Sequence, residues 1–497
     1  MKAGGSLLVA ILAAAPAAAA RPTNADCNTR VNDTAALLLE CIQQQPLWSH
    51  LQDFQTIADQ NPGTEGHGNR DTGQPGYLAS VNYVQALMTE AGYTVTIQPY
   101  QIHGFALAAE PRLSIPGVTS VYGQDWFVAR QSGDGAVTAP VQPIADACVS
   151  GGFRGFRRGN IALIRRGFCG FDSEIANARA AGAVGAILYN DGATAQRKGP
   201  NSPTGAFPVA LAEDAAIPVV GTASAAIGAA LNAKYLTGSA PVARLEIRTK
   251  PKTTITDYNL IADSPYGNVD HTVVVEGHLD SIYGAGILDN ASGSATILEI
   301  ALKLAHTPTR NHLRYIWFGG EEINLLGSAY YTKTLSVTQR SRIVFDVDAD
   351  VTATPNYAVL IADPAHASNV KRFPSNVVPA SARGTKDFTT YFASVGIPVR
   401  KAGFGNDGTD SNSFSLIGIP NTGLLTQQDC CKPAPQVALW GGYLGNYEGQ
   451  IPSLNGGCVD RPNRWCDNLA NNNPIVLEFA SKAVADVVFE LANDPGI

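Results

Sequence analysis

Charge is scarce in this sequence. Charged residues make up 15% of its 497 positions, and the formal net charge is −7. Lysine and arginine form no basic patch, so the composition gives no support to nucleic-acid binding. Long apolar runs are missing after the first residues. No later stretch reaches the ~20 apolar residues of a membrane helix. No Cys-x-x-Cys pair occurs, which removes the commonest spacing of a cysteine metal site. No histidine follows His366. What is present is 45% hydrophobic residues, enough for large buried cores, in a chain long enough for two or three domains.

The first residues read MKAGGSLLVAILAAAPAAAA. Lys2 supplies a positive start, Ser6 to Ala15 a short apolar run, and Ala18 and Ala20 the small-residue pattern of a cleavage site. Residues 1–20 are therefore expected to be a signal peptide, and the mature chain to be secreted or periplasmic. The cysteines agree: Cys27, Cys41, Cys148, Cys169, Cys430, Cys431, Cys458 and Cys466 form an even set in an exported chain. Their clustering suggests Cys27–Cys41 and Cys148–Cys169, with the last four pairing among themselves.

The stretch Gly76 to Gly92 places Val81, Val84, Leu87 and Met88 on one helical face, and Tyr93 to Ile97 then alternate as a strand does. Between 125 and 245, short apolar runs alternate with Ala/Gly-rich helical stretches. From Asp257 onward the pattern is strand, helix, strand. Runs at Thr272–Val275, Leu313–Phe318, Ile343–Phe345, Tyr357–Ile361 and Thr422–Leu425 are continuous, as in strands buried on both faces. The stretch after Asp289 and the segment Pro474 to Leu491 read as helices. The expected fold class is α/β: a mostly parallel, mixed sheet with helices on both faces, plus a small α/β insert.

In such sheets ligands bind beyond the carboxyl ends of the strands. Those ends carry the chemistry here. Thr272 to Val275 leads into Glu276-Gly277-His278-Leu279-Asp280, and Leu313 to Phe318 into Gly319-Gly320-Glu321-Glu322. Ile343 to Phe345 is followed by Asp346, and Asp289-Asn290 opens a long helix. One polar strand end is ordinarily a loop residue, and Glu321-Glu322 alone would suit a solvated helix start. Four such positions converging on one sheet edge point to a metal site. Asp348 and Asp350 follow Asp346 at period two, so all three can share one strand face.

These residues fall within stretches that resemble the co-catalytic zinc aminopeptidases, the family of secreted bacterial leucine aminopeptidases and glutamate carboxypeptidase. The matching stretches are NRDTGQPGYLASVNYV (Asn69 to Val84), VVVEGHLDS (Val273 to Ser281), GILDNASGSATILEIA (Gly286 to Ala301), YIWFGGEEINLLGSAYY (Tyr315 to Tyr331), VFDVD (Val344 to Asp348) and GTDSNSFSLIGIPNTGLLT (Gly408 to Thr426). Gly159 to Asp191 and Ile217 to Gly221 resemble a protease-associated domain, which implies a lid or substrate-docking insert. The resemblance implies residues 21–120 as the first part of a peptidase domain, 121–250 as the insert and 251–497 as the catalytic part. It implies His278 and Asp346 as ligands of one zinc, Asp289 as the bridging carboxylate, Glu322 as a ligand of the second metal and Glu321 as general base. Favouring Asp346 leaves Asp348 and Asp350 as surface residues. Asp280 is implied as the carboxylate orienting His278. Asp410 stands near the substrate pocket or caps a loop.

The family's last ligand, a histidine three residues before a Cys-Asp pair, has no counterpart. Alignment on Cys466-Asp467 puts Asn463 there, a weak amide ligand at best, and Pro462 where a tyrosine is usual. Asp460, Arg464 and Asp467 are the nearby substitutes, and His366 falls in a loop. The expectation is one tightly bound zinc with a weaker second as its alternative, and an aminopeptidase acting on peptide substrates. The rival readings are an impaired homologue that binds peptides in the old cleft and, least favoured, a glutaminyl cyclase.

Overall fold

The computed structural model describes residues 22–63, 68–122, 125–166, 169–190, 206, 209–211, 213–238, 240–282, 284–367, 369–403, 408–428, 430–447, 453–454, 457–458 and 467–497. The expected leader and Asn463 lie outside these residues, as do Asp460, Pro462, Arg464 and Cys466. No helix among the described residues is long and apolar enough to cross a membrane.

The main sheet has eight strands, in the order Thr94–His103, Thr254–Asp263, Asn311–Phe318, Asn268–His278, Ile343–Ala349, Asn421–Leu425, Leu360–Ala362 and Arg400–Ala402. Its middle four strands are parallel neighbours, and the edge pair Thr94–His103 and Thr254–Asp263 runs antiparallel. Side chains of a strand alternate between faces, and here each face is covered. Val273, Val275, Tyr315 and Trp317 point into the larger core, with the helices Gln44–Gln60, Pro75–Glu90, Ser292–Leu304 and Pro474–Asn493. Val274, Ile316 and Phe318 point the other way, onto Tyr331 and Phe414 of the helices Leu326–Thr334 and Ser411–Leu416. This is the α/β sheet with helices on both faces that the apolar runs predict. Burying each large side chain here contributes roughly 1.5–3 kcal/mol.

The helix over Pro75–Glu90 buries Val81, Val84 and Met88 and packs Leu87 against the same core, so the predicted face is the buried one. The long terminal helix starts where Asn473 accepts the backbone N–H of Ile475 and Val476 and Pro474 takes the first position, a standard helix entry.

Thr94–His103 and Thr254–Asp263 pair along their whole length, from Thr94 opposite Asp263 to His103 opposite Thr254. Everything between 103 and 254 is thus an excursion from one long hairpin. Its sheet has seven strands, in the order Arg112–Ser114, Val242–Ile247, Gly135–Pro143, Ile161–Arg165, Gly185–Tyr189, Val219–Ala223 and Trp126–Val128. Ile161, Leu163 and Ile187 face one apolar cluster, and Ala162, Ile164, Ala186 and Leu188 face another. The strand Arg112–Ser114 belongs to this sheet although it precedes residue 121. Disulfides join Cys27 to Cys41 and Cys148 to Cys169, as clustering suggests. The side chains of the last four cysteines lie outside the described residues.

Candidate metal centre

His278 closes the strand Asn268–His278 and is 2% exposed. Its Nε2 lies 3.1 Å from Asp289 Oδ1 and 3.4 Å from Asp350 Oδ1. These three donor atoms all lie within 4.8 Å of one another. One nitrogen and two carboxylate oxygens are a donor set that zinc accepts. Asp350 Oδ1 and Glu322 Oε1 are buried without a hydrogen-bond partner, which a cation between these acids would satisfy. The residues present therefore fit the metal that the chemistry calls for.

Asp346 is not part of this group. It pairs in register with Val274, four residues before His278 and so about 13 Å down the sheet at a strand's rise. The strand runs on to Ala349, and the residue that clears its end is Asp350. Polarity interrupts the apolar run at Asp346, and that interruption looks like a strand end in the sequence. Asp348 and Asp350 are not surface residues either: Asp348 is buried and accepts the Thr409 hydroxyl at 2.8 Å, and the Asp350 side chain is 13% exposed.

The sequence DNASGS explains how Asp289 reaches its place. Asn290 donates to Ala349 O at 3.0 Å, and its Oδ1 accepts Val351 N at 3.0 Å and Gly293 N at 2.8 Å. It thereby grips both flanks of Asp350, and the positions of Asp289 and Asp350 are fixed by one side chain. Ser292 accepts Thr352 N at 2.8 Å, and Ser294 donates to His278 O at 2.6 Å. Gly293 is required because a Cβ there would stand 2.0 Å from Ala349 O.

Asp467 holds the other side. Its carboxylate accepts the backbone N–H of Leu288 at 2.7 Å and of Asp289 at 3.0 Å. Those bonds turn both oxygens toward the Asp289 backbone, so Asp467 braces the loop that carries Asp289. Arg70, fully buried, donates to the carbonyls of Leu279, Ala285 and Gly286 at 2.7, 2.6 and 2.5 Å. Burial pulls its guanidinium down to about 10 against the opposing charges of Asp467, Asp280 and Asp71.

Asp280 does more than orient His278. The His278 Nδ1 lies 3.1 Å from the Asp280 backbone carbonyl and 3.5 Å from its carboxylate. The carboxylate accepts Thr72 Oγ1 at 2.6 Å, Glu321 N at 3.3 Å and Glu322 N at 3.4 Å. Gly320, at φ +65, makes the turn that presents the two glutamates. Burial, opposed by His278, pushes the Glu321 carboxyl well above its usual range. Burial, with Asp289 and Glu321 beside it, does the same to Glu322. Burial alone would lower His278, but Glu321, Asp280, Asp289 and Asp350 outweigh it and push the imidazole up. So much negative charge around one histidine is what a cation site shows before its ion is considered.

Asp410 stands at the start of the helix Ser411–Leu416, fully buried, with no hydrogen-bond partner for either carboxylate oxygen. It does not cap the helix through its side chain. Burial, opposed by His278, pushes it up to about 7. His366 closes a short 3-10 helix, Pro364–His366, rather than sitting in a loop; it lies 3.3 Å from Asp363 with 51% of its side chain exposed.

Comparison with known proteins follows the same division. The model of peptidase family M28 matches residues 259–447, and that of the PA domain matches residues 137–231. An aminopeptidase of Pseudomonas aeruginosa is 32% identical over 479 residues, covering 90% of this chain and 81% of that protein. A probable leucine aminopeptidase 2 of Aspergillus fumigatus is 29% identical, covering 90% and 84%. Among solved structures, an aminopeptidase from Aneurinibacillus sp. strain AM-1 superposes with a TM-score of 0.68 at 22% identity, over 93% of this chain and 96% of that one. A zinc aminopeptidase from Bacillus subtilis does so with 0.56 at 22% identity, over 91% and 96%.

Proposed function

This chain belongs to peptidase family M28, and from that premise we propose that it is an exported zinc aminopeptidase whose metal is held by His278, Asp289 and Asp350. The observation that carries the reading is the His278 imidazole facing two carboxylates, with Glu321 held beside them on Asp280. Asp289 would be the carboxylate shared with a second, weaker metal, for which Glu322 would supply a further ligand. Asn463, the position of that metal's remaining ligand, is outside the described residues. The inserted region, residues 121–250, is proposed as the substrate-docking unit. The leader-like first residues and the two disulfides support export.

Zinc supplies a nucleophile at neutral pH by lowering the pKa of a coordinated water to about 7. The chain's own residues do the rest. Glu321 takes the proton of the attacking water and returns it to the leaving amine nitrogen. Burial raises the Glu321 carboxyl above its ordinary range, while a divalent cation beside it would pull the other way. Asp280 keeps Glu321 in reach through the backbone, and Arg70 and Asp467 keep the Asp289 loop from relaxing away.

The test is turnover of aminoacyl reporter substrates by the mature protein after chelation and after zinc is added back. The reading expects activity to vanish and return, and N-terminally blocked peptides to remain uncut. Turnover that chelation leaves unchanged would overturn it.

A further inference from the structure

A second group of metal-compatible side chains lies in the inserted domain and shares no residue with the first. Cys148, Cys169 and Glu174 place two sulfurs and a carboxylate oxygen within 4.8 Å of one another. The sulfurs are joined as a disulfide and both residues are partly exposed, whereas Glu174 is fully buried. Neither Glu174 oxygen has a hydrogen-bond partner. A buried carboxylate without a partner is unfavourable when charged, and burial accordingly pushes Glu174 up to about 8 despite Arg166. A disulfide gives it nothing to bind: it carries no charge and no strong donor. Two thiolates and a metal would.

We propose that reduction of Cys148–Cys169 opens a zinc site in the inserted domain, with Cys148, Cys169 and Glu174 as ligands and water as the fourth. The reductant is a dithiol, reaching the sulfurs from the exposed side. Its electron pair breaks the S–S bond, it closes to its own disulfide, and its two protons pass to the freed sulfurs. Zinc then displaces the protons of both thiols and of Glu174 into solvent. Tetrahedral zinc with sulfur at about 2.3 Å holds its two sulfurs roughly 3.8 Å apart, a small opening for cysteines whose Cα atoms are 5.7 Å apart.

The scaffold is already built for this. Glu174 sits in the first turn of the helix Phe171–Ala180, and Cys169 immediately precedes the helix cap Gly170. Asn177 of the same helix donates to Ala147 O at 2.9 Å, which ties the Cys148 loop to it, and Asp146 accepts Cys148 N at 2.9 Å. The three ligands therefore ride on one helix and a loop bonded to it, and their separation does not depend on the S–S bond alone.

The full-length mature protein is reduced with a dithiol, freed of it under inert gas, and titrated with cadmium as a spectroscopic stand-in for zinc. Only sulfur ligands give the ultraviolet thiolate-to-cadmium band, so the catalytic centre is silent. Any other reduced cysteine, Cys27 and Cys41 included, contributes equally to a Cys148→Ser/Cys169→Ser protein, which serves as the reference. The proposal expects one equivalent more than the reference, no such equivalent in the oxidised protein, and affinity lower by about tenfold or more in Glu174→Gln. Equal bands in protein and reference overturn it, and unchanged affinity in Glu174→Gln overturns the role of the carboxylate. Zinc is also expected to raise the melting temperature of the reduced protein and not of the reference. A reduced chain that unfolds and is not restored by zinc counts against the site.

Discussion

At the scale of single residues, the decisive assignment is Asp350 over Asp346. Asp350 lies 3.4 Å from His278 Nε2, and Asp346 is four residues back along the neighbouring strand. Asp350→Asn is expected to lower zinc affinity at least 10-fold, whereas Asp346→Asn leaves it within a factor of two or so. Zinc titration against a chromophoric chelator compares the two; equal losses would contradict the assignment. A different residue carries stability. Asp263 accepts Arg314 Nε at 2.8 Å and Nη2 at 3.1 Å, and His312 Nε2 at 2.8 Å. Burial alone would raise its carboxyl, but these donors outweigh that and hold it below the ordinary range. A depressed carboxylate stabilises the fold above its unfolded pKa and loses that contribution as pH falls through the folded pKa. Asp263→Asn is therefore expected to cost about 1–3 kcal/mol at neutral pH, with the gap to the parent closing below about pH 4. Urea midpoints at the two pH values measure it.

At the scale of elements, the sequence was legible where a single periodicity governs. Continuous apolar runs located the central strands, and the proposed site residues His278, Glu321 and Glu322 lie at or just past their carboxyl ends. Legibility failed where polar residues are buried. The run Ile343–Phe345 stops at Asp346, yet the strand continues through Asp346 and Asp348, because that face meets a polar layer around Thr409 and Asp410 rather than solvent. The strand ends at Ala349, so the residue just past its true carboxyl end is Asp350, four residues later. Glu276, buried and opposite Asp348, escaped notice for the same reason. The bracing roles of Arg70 and Asp467 were not legible, although both stand in motifs, since their partners are backbone groups of residues 279–289, which leave no side-chain pattern in the sequence. Asn290 was legible only as half of a motif; its grip on both flanks of Asp350 appears once the strands are side by side.

At the scale of the whole molecule, the inserted domain is attached in two ways. Covalently it leaves and re-enters through one ten-pair hairpin. Non-covalently it touches the segment that follows Glu321 and Glu322: Asn324 donates to the Asp172 carboxylate and, at 3.4 Å, to Ala210 O. Replacing residues 104–253 by a short turn between His103 and Thr254 is expected to leave the peptidase sheet folded and its zinc content unchanged, because the hairpin and the core of the main sheet persist. Turnover is expected to fall, because the loop of Glu321 loses a wall. Circular dichroism, zinc analysis and steady-state kinetics on one preparation separate these effects; an excised chain with full activity would show that the insert does not support the loop.

All of this depends on Glu321 acting on a water whose metal is held by other residues. Zinc content and turnover measured together on Glu321→Ala test that division most directly. The account predicts zinc retained at the parent level and turnover reduced by about 10²–10⁴. Undiminished turnover, or turnover lost only in proportion to lost zinc, would contradict it.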